Sequence, residues 1–136
     1  MSRTKNQSDI DAIKQSVRAT EAAMLAVIEY LKQVKGPNSE DAKVVLDRVL
    51  MEHGCDSPEG RIVAAGLGTH EPHYMGDGDI GRGVPIVIDI YPRSKETGFY
   101  ADMTRTVCLG EPSKELQAMY NAVLQAHTAS VAILRP

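Results

Sequence analysis

Apolar residues recur with a helical period at the start of this chain, with a strand period in its middle, and with a helical period again at its end. Ile10, Ile13, Val17, Met24, Val27, Ile28, Leu31 and Val34 fall near three-to-four-residue spacing, the signature of an amphipathic helix. Ser8-Asp9-Ile10-Asp11 has the form of a capping box at its start, and Gly36-Pro37 stops it. A second stripe, Ala42, Val45, Leu46, Val49 and Leu50, predicts a helix from about Ser39, with Gly54 where a C-terminal cap would fall. Both stripes are read as core-facing, since a packed helix requires that periodicity.

Residues 61–65, RIVAA, form a short strand candidate, whereas 66–83 are rich in Gly, His and Asp with no apolar period. Two β-rich runs follow, 85–91 and 99–108, separated by the turn-forming 92–98, PRSKETG; together they predict an antiparallel hairpin. Leu116, Met119, Tyr120, Val123, Leu124, Val131 and Leu134 then define a third helix that continues almost to Pro136. The expectation is a single α+β domain over residues 1–136, antiparallel strands packed against long helices.

Composition narrows the function classes. The 136 residues suffice for one domain, and 43% hydrophobic with 24% charged residues is ordinary for a globular protein, although no Trp is present and aliphatic side chains must fill the core. A net charge of -3, with basic residues scattered, argues against nucleic acid and against an anionic membrane surface as partners. Cys55 and Cys108 stand in no metal or redox spacing, and MSRTKNQSDIDAIK lacks the apolar run of a signal peptide, so the expectation is a reduced, cytoplasmic protein without a membrane span.

Gly76-Asp77-Gly78-Asp79-Ile80-Gly81 satisfies G-x-G-x-x-G, but it precedes a strand instead of following one and opening a helix; it is read as a flexible connection, not a dinucleotide site. Asp77 and Asp79 lack the remaining ligands of a calcium loop. No G-x-S-x-G or Cys-His arrangement supports nucleophilic catalysis. His53 and His127 fall on helices as surface or capping residues; His70 and His73, three apart in a loop, leave a metal or proton-transfer cluster open beside the plainer reading of exposed loop histidines.

The hairpin acids carry more. Alternation puts Val87, Asp89 and Tyr91 on one face of the first strand, and Tyr100, Asp102, Thr104 and Thr106 on one face of the second. If the faces coincide, two carboxylates converge, and their repulsion calls for a cation or a shared proton. Two remedies stay open: a divalent metal, with oxygen ligation suited to manganese, magnesium or cobalt, or a structural ion pair to Arg105 or Lys95.

The phrases HY, IVIDI, GFYADMTRTVCLGEPSKELQAMYNAVLQAH and ILRP, taken together over roughly residues 5–136, resemble the first part of the pita-bread metallopeptidase domain shared by methionine aminopeptidase, prolidase, aminopeptidase P and creatinase. ADMTRT, with an aspartate on the preceding strand and HY upstream, looks most like the Xaa-Pro branch. The resemblance implies a partial pita-bread fold and a metal-dependent exopeptidase that hydrolyses the bond before proline with a metal-activated water, acting on peptides with proline at the second position. It implies two divalent metal ions, manganese or cobalt foremost. By position, Asp89 matches the first metal-ligand aspartate, Asp102 the bridging one, and His73 the catalytic histidine bordering the substrate pocket; Arg105 points away from the Asp102 face as support.

Two departures accompany the resemblance. Thirteen residues separate Asp89 from Asp102, about two more than the family leads one to expect, and Ile90-Tyr91 replaces the small Gly-containing pair that often follows the first aspartate; two added residues preserve alternation. The family also needs a histidine and two glutamates from a C-terminal half not found in these residues, so the chain is expected to be the N-terminal half of the catalytic domain, inactive alone and a homo-oligomer through its exposed strand edge. The alternatives are a pita-bread-derived peptide-binding or protein-binding module without catalysis, and an enzyme completed in trans by a second polypeptide.

Overall fold

The computed structural model describes residues 4–135; Met1 to Arg3 and Pro136, which closes the ILRP phrase, lie outside the described residues. The long first helix, α1, runs Gln7–Gln33. Its cap is Asn6, not Ser8: the Asn6 side chain accepts from the Asp9 amide while the Asp9 carboxylate accepts from the Asn6 amide. Ser8 instead donates to Asn6 Oδ1 at 2.8 Å, so the box lies two residues earlier than its Ser-first form suggested.

The buried stripe of α1 also differs from the one its large apolar residues mark. Ser16, Ala19, Thr20, Ala23, Met24, Val27 and Leu31 are buried, whereas Val17 is 37% exposed. Small residues let α2, Ser39–Glu52, pack closely on α1, and the two hydroxyls are satisfied: Thr20 donates to the Ser16 carbonyl at 2.8 Å, and Ser16 to the Phe99 carbonyl at 3.0 Å. Helix α2 is capped by Asn38, buries Ala42, Leu46 and Leu50 as expected, and ends before Gly54, whose φ of +70° is the left-handed turn that glycine accepts.

Three strands, β2 (Arg61–Ala65), β3 (Pro85–Ile90) and β5 (Met103–Cys108), form an antiparallel sheet in the order β2-β3-β5. Ile86, Ile88 and Ile90 alternate onto the helix-facing side and are fully buried with Val63 against α1 and α2. A second, two-stranded sheet pairs β1 (Cys55–Asp56) with β4 (Arg93–Ser94). The expected hairpin is therefore interrupted. Its partner strands do pair, but β4 lies between them, and residues 99–102 are drawn in by Ser94 donating to Phe99 and Ala101 donating to Pro92 rather than by the ladder of β5.

The glycine run is pinned and not a loose connection. Ser39 donates to Gly78, Ile80 donates to Pro37, and the Gly78 amide donates to the Glu40 carboxylate, all at the start of α2. Gly76, at φ +81°, passes so close to β2 that a Cβ would overlap the Val63 carbonyl. Helix α3, Lys114–Ala132, is capped by Ser113 and buries none of its residues; Val123 is 69% exposed. Among the described residues no helix is long and apolar enough to cross a membrane.

Candidate metal centre

The sheet face opposite the helices carries Asp89. In the β2-β3-β5 register Ile62, Asp89 and Thr104 are directly opposite one another and share that face. Asp89 is half-buried, and Thr104 Oγ1 donates to Asp89 Oδ1 at 2.6 Å. The ladder ends at Ile90 and Met103, so Asp102 immediately precedes β5 and is exposed. One further rung would set it opposite Tyr91 and diagonal to Asp89, where Cβ atoms in regular sheets lie about 7–8 Å apart.

No cationic side chain compensates this pair. The ion pairs among the described residues are Arg61 with Asp47 and Arg93 with Asp56. Arg105 lies opposite Ile88, on the other face, and turns its guanidinium back onto the Thr104 carbonyl at 2.7 Å. The ion-pair alternative through Arg105 or Lys95 thus has no counterpart in the structure. Carboxylate oxygens, with that of Asp89 oriented by a hydroxyl donor, are the donor type that suits a hard divalent cation. Among the described residues no group of three or more His, Cys, Asp or Glu that could hold a metal ion gathers.

His73 is exposed in the turn after the 3-10 segment Gly66–His70 and makes no hydrogen bond to the described residues. His70 is held by its own segment, ring to Leu67 carbonyl, so the two histidines do not form a cluster. His53 caps α2, its ring 2.8 Å from the Val49 carbonyl, and His127 is exposed on α3. Tyr74, next to His73, donates to Asp77 at 2.6 Å; that bond to a carboxylate raises its phenol pKa, with burial and the Asp77 charge adding to the shift.

Sequence reading passed over one neighbour of Asp102. Glu59 faces an open hollow of about 450 Å³ together with Tyr91, Tyr100, Ala101 and Asp102. Alternation could have placed the two tyrosines there; Glu59, in the turn before β2, gives no periodic signal.

The described residues thus form paired helices over an antiparallel sheet whose open face carries Asp89, bonded by Thr104. The family model for metallopeptidase family M24 matches residues 11–136, and the chain belongs to this family. It is 28% identical over 134 residues to a Xaa-Pro dipeptidase of Pyrococcus furiosus, an alignment covering 97% of this chain and 37% of that protein. Its fold superposes on the prolidase of Pyrococcus horikoshii with a TM-score of 0.86 at 25% identity, covering 97% of this chain and 38% of the other. The X-Pro aminopeptidase of Thermotoga maritima gives a TM-score of 0.81 at 30% identity, covering 96% and 37%. These neighbours make the fold a pita-bread α+β one, and the chain spans little more than a third of their length.

Proposed function

We propose that these residues are the first half of the catalytic domain of a metal-dependent Xaa-Pro exopeptidase, hydrolysing the bond before proline. The observation that carries the reading is Asp89, held by Thr104 on the open sheet face, with Asp102 immediately before the paired strand and neither in an ion pair among the described residues. Those carboxylates would hold divalent metal, manganese by the hardness of the oxygen donors or cobalt by the family resemblance. What such a metal supplies when bound is a water acidic enough to act as nucleophile near neutral pH. Thr104 fixes the Asp89 carboxylate, and the exposed His73 imidazole is free to meet the substrate.

The same reading makes the 136-residue polypeptide inactive by itself, because two carboxylates are too few to hold a catalytic metal pair. The free edge of β5 and the uncovered apolar side of α3 support self-association. The free thiols Cys55 and Cys108 fit a reducing, cytoplasmic setting.

The test is complementation. The chain, mixed with a separately folded polypeptide carrying the C-terminal half of the Pyrococcus horikoshii prolidase and manganese, should release alanine from Ala-Pro, and Asp89→Asn should abolish the release. Folded partners that associate without hydrolysing Ala-Pro would remove the reading.

A further inference from the structure

The hollow beside Asp102 lies where β4, between Asp89 and Asp102, pairs with β1 and the turn before β2 comes alongside residues 99–102. There two tyrosines close on one glutamate. Tyr91 donates its hydroxyl to the Glu59 carbonyl at 3.0 Å and fixes the backbone; Tyr100 donates to Glu59 Oε1 at 3.2 Å and fixes the side chain. The Met75 methyl backs the turn, 2.9 Å from where a Cβ on Gly60 would stand.

Glu59 has a fixed position, a second oxygen without a partner and no cation beside it. The arginines of the adjoining strands are engaged elsewhere, Arg93 with Asp56 and Arg61 with Asp47. Glu59 and Asp102 are the charged side chains lining the hollow, and the phenol rings beside them likewise favour a cation over an anion. Resting on the peptidase reading above, we infer that this hollow is a specificity pocket for a basic side chain of the residue preceding proline. Proline itself carries no charge, so the variable residue beside the scissile bond is the one that can supply the ammonium or guanidinium.

The experiment is an amide NMR titration of the 136-residue chain in magnesium chloride with three probes: Lys-Pro, norleucyl-proline, which keeps the chain length without the charge, and n-butylammonium. Lys-Pro and n-butylammonium should both shift Glu59, Tyr91 and Tyr100, and Lys-Pro should bind about threefold to fivefold more tightly than norleucyl-proline. Glu59→Gln keeps an acceptor for Tyr100 on an exposed residue, and should bring Lys-Pro down to the norleucyl level. Equal binding of the two dipeptides, or a lysine preference that survives Glu59→Gln, overturns the pocket while leaving the peptidase reading intact. Binding of n-butylammonium without either dipeptide upholds the cation site and counts against the peptidase reading. Silence of these amides toward all probes overturns the pocket.

Discussion

Thr104 Oγ1 donates to Asp89 Oδ1 at 2.6 Å, across the β3–β5 ladder and between residues directly opposite in register. The bond takes up one lone pair of a carboxylate that has no cationic neighbour, and it sets the direction in which the remaining lone pairs face. Thr104→Val keeps the β-branched shape and removes the donor. The expected loss is about 1 kcal/mol of stability, read by urea denaturation. A larger effect is expected on manganese affinity in the complemented enzyme, because the Asp89 carboxylate is then free to rotate.

Asp102→Asn separates metal from repulsion. Without metal, removing one of the two carboxylates that line the hollow, Asp102 and Glu59, should stabilise the chain slightly, by about 0.3 kcal/mol. With manganese, whatever rise in melting temperature the metal gives the parent chain should be lost. Parallel melts with and without metal read both signs.

Gly76 and Gly78 have positive φ alike, yet only Gly76 lies against backbone; a Cβ on Gly78 would meet nothing within 4 Å. Gly76→Ala should therefore cost about 2–3 kcal/mol or more, from strain plus displacement of the Val63 carbonyl. Gly78→Ala should cost about 1 kcal/mol, from the left-handed conformation alone. Equal costs would mean that the segment does not press on β2.

The Cys55 thiol is 2% exposed, and its pKa is raised by burial first and the Asp56 carboxylate second, against the opposing charge of Lys95. Folding thus favours the protonated thiol. Its contribution is complete below the pKa of the unfolded thiol and is lost as pH climbs through the raised folded value. Stability should fall in that alkaline window in the parent and less in Cys55→Ser. At neutral pH a thiol reagent should label Cys108 well before Cys55.

What could be read from residues alone follows how local each determinant is. Ala42, Leu46 and Leu50 are buried where their spacing puts them, because one helix face meeting one core is a local pattern. The antiparallel pairing of β3 with β5 was legible for the same reason. Asn6 and Ser8 both qualify as caps, and which one the chain uses depends on the helix's first turn as a whole. The strands β1 and β4 are two residues each, too short to show a period, so the interruption of the hairpin could not be seen. The glycine run looked loose because its hold on α2 is made by backbone groups, which sequence pattern does not record. Asp89 and Asp102 draw attention because carboxylates in β-rich runs are conspicuous, whereas Glu59, a carboxylate in a turn, gives no such signal.

Ser16, buried on α1, donates its hydroxyl to the Phe99 carbonyl at 3.0 Å, joining positions 83 residues apart. Phe99 lies three residues before Asp102, so the approach to that carboxylate is tied to the N-terminal helix. Contacts of such sequence separation close only at the cost of a large loop's freedom. The placement of Asp102 is therefore secured by a helix 83 residues upstream, and whatever loosens α1 there also loosens the carboxylate's approach.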